Sequence, residues 1–462
     1  MDGEGGGHRK SNKFYDLLDF FIFTIYLYTG GVYKPHRNNK NNMLRAVKIR
    51  LYPNKEQQTT INQLLGCCRY VYNQLLELKI NTYKEDGKSL SVCDLSKHYH
   101  NTMCKSTETP WLKNCNTKVV KQSIRNLDRA YQRFFKEHTG FPKFKSKKDK
   151  NTCTFPLDAI SKCNTFETRH ISLTKPLKNI PFRCSNLYWN RLRVYKDKIH
   201  SATLTRTKSG KYELSVLIDL DESEFHKFKH CNGNAVGIDL GVKDFVITSD
   251  GEVFENKHFL KSEEQKLKKL QRQLSRKQKG SKNREKVRIR LAKQHEHIHN
   301  KRMDYIHRIV NELLKEYDFV FMEDLNVQGI LKNHKIAKAV SELGFYTFKS
   351  VLQNKATLNN KCVIFVDRFF PSSQLCSECG YRNKYVKDLS VRSWTCPECG
   401  AVHDRDINAA RNILEEGLRI IGSRTAEYTL VDCPTVDDKA ATPLKSSDRM
   451  KQEAETMNVK FS

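Results

Sequence analysis

The sequence predicts a multidomain protein of mixed α/β and all-β parts with a small metal-stapled ribbon near its C-terminus. Three observations carry that expectation. Two Cys-x-x-Cys pairs, Cys376/Cys379 and Cys396/Cys399, have the spacing of a tetrahedral four-thiolate site. Period-two apolar runs crowd residues 151–221, after a stretch whose apolar residues recur at helical spacing. Farther on, two apolar strands end in carboxylates, and a third acidic cluster opens a helix just after the second cysteine pair.

The chain of 462 residues is long enough for about three domains with real cores. Its net charge of +30 suits a polyanionic partner, nucleic acid first and an anionic membrane surface second. The cysteines outside the two pairs show no framework spacing, which predicts free thiols in a reducing compartment, the cytoplasm or nucleus of a host, and no secretion. The apolar run Phe20–Tyr28 is shorter than the roughly 18 residues of a membrane span and follows Asp16 and Asp19. Nothing after it resembles a cleavage site. Residues 1–42 therefore read as an accessory extension, with Met43 as an alternative start.

Val47, Ile49 and Leu51 alternate with Lys48 and Arg50 as in a half-buried strand, which Pro53 ends. Asn54 and Gln57 then form a capping-box pattern, and Ile61, Leu64, Leu65, Cys68, Tyr72, Leu75 and Leu76 trace one helical face. A second amphipathic helix is expected at about 116–138, with Val120, Ile124, Leu127, Tyr131 and Phe134 as its apolar stripe. Arg125 and Arg129 lie on its other faces, and the charge surplus assigns them to phosphate contact. Gly140-Phe141-Pro142 breaks the helical region, and Lys143 and Lys145 follow as further candidate contacts. After the Ser209-Gly210 turn, Tyr212, Leu214, Val216, Ile218 and Leu220 alternate most clearly. Residues 151–221 read as a small antiparallel barrel or sandwich joined by the strand at Leu44–Leu51, and residues 222–234 as a linker.

Asp239 interrupts the apolar run Ala235–Val242, and Asp244–Thr248 reads as a second strand. Phe319–Met322 ends in Glu323-Asp324, while Asp404 and Asp406 precede a helix striped by Ile407, Ala410, Leu414 and Leu418. Carboxylates at the ends of elements that share one sheet are what two-metal phosphodiester hydrolysis requires, with two Mg2+ ions about 4 Å apart on shared hard oxygens. Strand alternation leaves the choice between Glu323 and Asp324, and between Asp404 and Asp406, open.

Between the first two carboxylates runs a basic tract, Lys257–Arg302. Leu267, Leu270 and Leu274 share a helical face, Gly280-Ser281 interrupts, and Val287, Leu291 and Ile298 mark a second helix to about Lys315. Lys268, Lys269, Arg272, Arg276, Lys277, Lys282 and Arg284 are its candidate phosphate contacts, which predicts steep salt dependence. His295, His297 and His299 stand at i, i+2 spacing and read as surface residues. In the ribbon, Gly380 and Gly400 follow the second cysteine of each pair, where a tight turn needs positive φ. Four cysteines leave no open coordination position, so one structural zinc is expected, with His403 a neighbour and not a ligand.

The motifs GIDLGVKDFVITSDG, LQRQLSRKQKGSKN, FMEDLNVQGI, FFPSSQLCSECG and WTCPECGAVHDRDINAARNIL, with LRAVKIRLYPNKEQ and GFPKFKSK upstream, closely resemble the TnpB (OrfB) family of insertion-sequence proteins. The likeness runs in order from about Leu44 to Leu414. It implies an RNA-guided DNA endonuclease related to Fanzor proteins and type V CRISPR effectors, often labelled a transposase. It further implies a β-barrel wedge domain at 43–53 and 141–221 with a helical recognition region at 54–140. An RNase H-like (RuvC) nuclease domain at 235–370 and 401–422 would follow, carrying the basic hairpin 257–316 and a zinc ribbon at 371–400, with a tail at 423–462. By motif, Asp239, Glu323 and Asp406 are implied as the magnesium ligands, with manganese as a substitute metal. The implied partners are target DNA and a guide RNA from the element's own end, with base pairing supplying sequence, and no membrane. Asn354 and Asn359-Asn360 depart from the pattern, which would place an aromatic residue and a glycine there. A strand-joining transposase and a non-catalytic DNA-binding regulator are the competing readings.

Overall fold

The structure, a computed structural model, describes residues 42–160, 164, 166–221, 233–332, 337–388 and 390–428. The run Phe20–Tyr28, most of the linker and most of the tail lie outside the described residues. The chain divides into two compact units, one holding residues 41–222 and the other 223–437.

In the first unit, β1 (Asn42–Leu51) leads to α1 (Lys55–Asp86), whose capping box forms as expected: the Asn54 side chain accepts from Gln57 N at 2.8 Å and Gln57 returns the bond at 3.0 Å. All seven residues of the anticipated apolar face are buried. After α2 (Val92–His98), α3 (Thr117–Lys136) buries its stripe, Val120, Ile124, Leu127, Tyr131 and Phe134, and packs on α1. Cys67 and Cys115 are joined as a disulfide where α1 meets the segment before α3, a correction to the expectation that every cysteine outside the ribbon is free.

The strands β2 (Asn151–Pro156), β3 (His170–Ile171), β4 (Ile180–Arg183), β5 (Ile199–Arg206) and β6 (Tyr212–Asp221) complete one antiparallel sheet in the order β2-β5-β6-β1-β4-β3. β1 pairs with β6 from Asn42↔Asp221 to Leu51↔Tyr212, so the early strand joins the later ones. The expected barrel is replaced by an open sheet among the described residues. β3 is two residues long and pairs only with β4, so nothing bonds it to the opposite edge, β2. The sheet is also interrupted by α4 (Asn186–Val194), a helix that period-two reading overlooks because Leu192 is its one buried residue.

In the second unit, β7 (Ala235–Asp239), β8 (Asp244–Thr248), β9 (Val253–Glu255), β10 (Phe319–Glu323) and β11 (Cys362–Val366) form a mixed sheet in the order β11-β10-β7-β8-β9. β11, β10 and β7 run parallel, and β8 and β9 extend the sheet as an antiparallel hairpin. α5 (Phe259–Ser275) and α6 (Lys282–Glu316) form the anticipated hairpin, which Glu263 fastens by accepting from Gln294 and Lys301, both at 2.9 Å. Past α7 (Val327–Leu331) and α8 (Ala337–Leu343), α9 (Phe345–Leu358) joins the end of α6 on one sheet face, over Val236, Ile238, Val320 and Met322. α10 (Arg405–Tyr428) covers the other face, where Ile413 meets Phe321 and Val366.

At the sheet end opposite the carboxylates, a buried ion pair between Asp318 and Lys361 ties the strand starts together, because Asp318 also accepts from Gly233 N at 2.6 Å. Such a pair adds little net stability. Asn360, in the stretch where the family pattern has a glycine, takes the left-handed conformation at φ 56°, and Lys361 N bonds back to Ala356 O at 2.9 Å. Asparagine is the commonest non-glycine residue to close a helix this way. No helix among the described residues is long and apolar enough to cross a membrane.

Candidate active site

Asp239 and Glu323 end adjacent parallel strands at the same height, since Ile238 pairs with Met322 one residue earlier on each. Alternation gives both the same side as Gly237 and Phe321, the side against which α10 packs. Gly237 sets how close that helix comes. A Cβ there would lie 2.1 Å from Ala410 O and 2.6 Å from Leu414 N, a distance only glycine permits. Asp406 stands one helical turn before Ala410, so this contact carries its carboxylate to the strand ends. Gly237→Ala is therefore expected to push α10 outward, costing about 1–3 kcal/mol and lowering any activity that needs Asp239 and Asp406 together. Thermal denaturation with a parallel activity assay checks both.

Asp239 lies in the field of the other two acids. Burial pushes the Asp239 carboxyl up to about 7, and the charges of Glu323 and then Asp406 push the same way; the Leu240 backbone and Arg405 oppose them. Burial raises Glu323 as well, against the Ser372 hydroxyl that donates to its Oε1. A hard divalent cation beside Asp239 would relieve the repulsion that the other two acids exert on it.

Their acidic neighbours are engaged elsewhere. Asp404 caps α10, its Oδ1 accepting from Asp406 N at 3.0 Å and Ile407 N at 3.1 Å. Asp324 pairs with Lys349 and with Arg368, which hold its carboxyl below the usual range. Asp324 is thus ion-paired and Asp404 serves as a cap. Asp406 has one cation close by, Arg392 Nη1 at 3.2 Å.

The four cysteine sulfurs lie within 4.8 Å of one another, with Cys376–Cys399 and Cys379–Cys396 both at 3.6 Å. Sulfurs around one tetrahedral zinc stand about 3.8 Å apart, from a Zn–S bond of about 2.3 Å, so the set fits the ion. Each pair forms the same knuckle: Gly380 N bonds Cys376 O and Gly400 N bonds Cys396 O, both at 2.9 Å, with φ of 77° and 73°. β12 (Ser393–Thr395) and β13 (Val402–Asp404) close the ribbon and lead straight into α10. His403 stays outside the sulfur quartet, its ring tilted by 42° against that of Trp394 and its Nε2 3.0 Å from Cys376 Sγ.

Of the candidate phosphate contacts, Lys268, Lys269, Arg272, Arg276, Lys277 and Lys282 are exposed along the α5/α6 hairpin, and Arg284 is half-buried. In the other unit Arg125, Arg129 and Lys143 are exposed, whereas Lys145 turns inward, its Nζ 3.7 Å from the Tyr72 ring centre. His295, His297 and His299 are exposed on α6.

The sequence reading passed over Ser372, Arg405, Asn408 and Asn412. Asn412 Nδ2 donates to Ser372 O at 2.7 Å and to Leu375 O at 2.8 Å, while Asn408 bonds Leu375 O and Ser377 N. These two buried asparagines, one turn apart on a buried helix face, lash the entry to the ribbon onto the helix that carries Asp406. Polar residues inside an apolar stripe were the signal available.

Residues 216–334 match the OrfB_IS605 family, described as "Probable transposase", and residues 345–413 match the Cas12f1-like TNB domain. Residues 43–88 match the helix-turn-helix domain of the OrfB_IS605 group, although the chain there forms β1 and the single helix α1. A Streptomyces pristinaespiralis protein named "Putative RNA-guided DNA endonuclease" is 34% identical over 376 residues, 81% of this chain and 89% of its own length. A relative from Escherichia coli strain K12 with the same description is 28% identical over 403 residues, 82% of this chain and 93% of its own. Among solved structures, a Cas12f1–sgRNA–target DNA complex matches 81% of this chain and 99% of its own at 15% identity, with a TM-score of 0.48.

Proposed function

We propose that this chain, which belongs to the TnpB (OrfB) family of insertion-sequence transposases, is a DNA endonuclease directed by a guide RNA, with an RNase H-like (RuvC) site at Asp239, Glu323 and Asp406. The observation that carries this is that Asp239 and Glu323 end neighbouring parallel strands and that Glu323 and Asp406 both act on the Asp239 carboxyl, while Asp404 caps α10 and Asp324 is ion-paired. Magnesium, or manganese in its place, would supply there the positive charge that activates water and stabilises a leaving oxygen.

The chain's own residues prepare that site. Asp239 presents a carboxylate whose ionisation is disfavoured until positive charge arrives, so it is primed to bind a cation. Ser372 fixes the direction of Glu323 by its hydroxyl bond. Asp406 projects from the first turn of α10, and Arg405 offsets part of the cluster's negative charge. The four-cysteine ribbon holds structural zinc and shapes the entry to α10. Exposed cations of the α5/α6 hairpin and of α3 grip nucleic-acid backbones without reading sequence, which leaves specificity to RNA–DNA pairing.

Expressing the chain with its native flanking DNA, purifying it through high salt and sequencing the retained RNA tests this reading. The expected result is a discrete RNA from the gene's 3′ flank ending in a variable segment, and magnesium-dependent cleavage of DNA matching that segment. Bulk degraded RNA, or cleavage products joined to new DNA ends, would overturn it in favour of a regulator or a strand-joining recombinase.

A further inference from the structure

The segment between β11 and the first cysteine pair, Asp367–Ser372, arches across the end of β10 and is fastened at both feet. Arg368 Nη2 sits 3.3 Å from Asp324 Oδ2, and Ser372 donates to Glu323 while Asn412 holds its carbonyl at 2.7 Å. Between the feet, Asp367 Oδ1 accepts from Phe369 N at 2.7 Å and Asp367 O accepts from Phe370 N at 3.1 Å, which fixes the turn. The two adjacent phenylalanines then part: Phe370 packs against the Phe321–Ile413 cluster, and Phe369 is 85% exposed.

A single exposed aromatic is ordinary on a protein surface. This one is held in a turn whose two feet bind the strand-end acids Glu323 and Asp324, and its ring adds almost nothing to the core. Nearby, Arg368 can meet phosphate and Glu323 a metal, yet neither offers a flat apolar face. A base lifted out of a duplex presents such a face, and stacking on an aromatic ring is indifferent to base identity.

We propose that Phe369 is a stacking platform for an unpaired base of the DNA strand beside the candidate nuclease site. The inference rests on the nuclease reading of Asp239, Glu323 and Asp406, but its test does not need cleavage. The guide-loaded protein carrying Asp239→Ala is titrated with single-stranded oligonucleotides bearing 2-aminopurine at successive positions. Quenching at one position is expected, and it should vanish with an affinity loss of about tenfold when Phe369→Ala is added, then return with Phe369→Trp. In the otherwise native protein, Phe369→Ala should raise KM for single-stranded DNA by a similar factor with Tm unchanged. Retained quenching and affinity in Phe369→Ala, or a lowered Tm, would overturn the platform. Cleavage surviving Asp239→Ala would instead overturn the nuclease assignment, and the quenching titration still decides the platform on its own.

Discussion

Asp239→Asn is expected to abolish metal-dependent DNA cleavage, on the order of a thousandfold or more, and at the same time to stabilise the metal-free protein above neutral pH. Both effects have one cause. The ordinary aspartate value is 3.8 and burial beside Glu323 and Asp406 takes Asp239 to about 7, so the folded chain holds a proton that the unfolded chain releases between those values. Stability is therefore fully present at about pH 4, falls as pH rises toward about 7, and stays reduced above it. Three pH units correspond to ~4 kcal/mol; contact of the half-buried side chain with solvent and sharing among three acids bring the expected effect to about 2 kcal/mol. The amide avoids that penalty. Thermal melts without metal should therefore show Asp239→Asn a few degrees above wild type at pH 8 and level with it near pH 4. Adding magnesium should raise wild type by mass action and leave the variant unmoved. A variant that melts below wild type at pH 8 without metal would mean that the carboxylate serves the fold and not a cation.

Much of this arrangement was legible in the sequence, and the parts that were not share a physical character. Local signals came through: the capping box at Asn54 and Gln57, the stripes of α1 and α3, the glycine turns of the ribbon, and the strands that end in Asp239 and Glu323. Each depends on residues within a few positions of one another. Closure of the first unit's sheet into a barrel depends on whether two distant edges meet, and the two-residue β3 is too short to leave a clear alternation. The pairing of Asp324 was likewise hidden, because its partners, Lys349 and Arg368, lie far along the chain. Gly237 gave no signal of its own inside the apolar run Ala235–Val242, whereas it lets a helix that begins at Arg405 pass close by. Cys67 and Cys115, 48 residues apart, offered no spacing that marks a pair.

Zinc removal should silence the nuclease site although no cysteine touches a carboxylate. Binding at a four-thiolate site contributes roughly 10–16 kcal/mol of folding free energy, more than the small core of Cys376, Val386, Trp394 and Cys396 can replace. Treatment with a strong chelator, or Cys396→Ser, is thus expected to melt the ribbon and open it to proteolysis between Cys376 and Cys399. The consequence then travels by two short routes. Arg392, which meets Asp406, and Asp404, which caps α10, both lie in the β12/β13 hairpin and its approach. At the other end, Asn408 and Asn412 hold Ser372, Leu375 and Ser377, and Ser372 holds Glu323. A melted ribbon frees both connections, so cleavage should fall even in excess magnesium while the sheet of the second unit, which rests on α6, α9 and α10, keeps its melting transition. Asn412→Ala isolates the second route: zinc content should stay at one per chain while cleavage falls about tenfold, in keeping with the loss of an outer-shell contact. Full activity with a melted ribbon, or with Asn412→Ala, would mean that Glu323 is positioned by its strand alone.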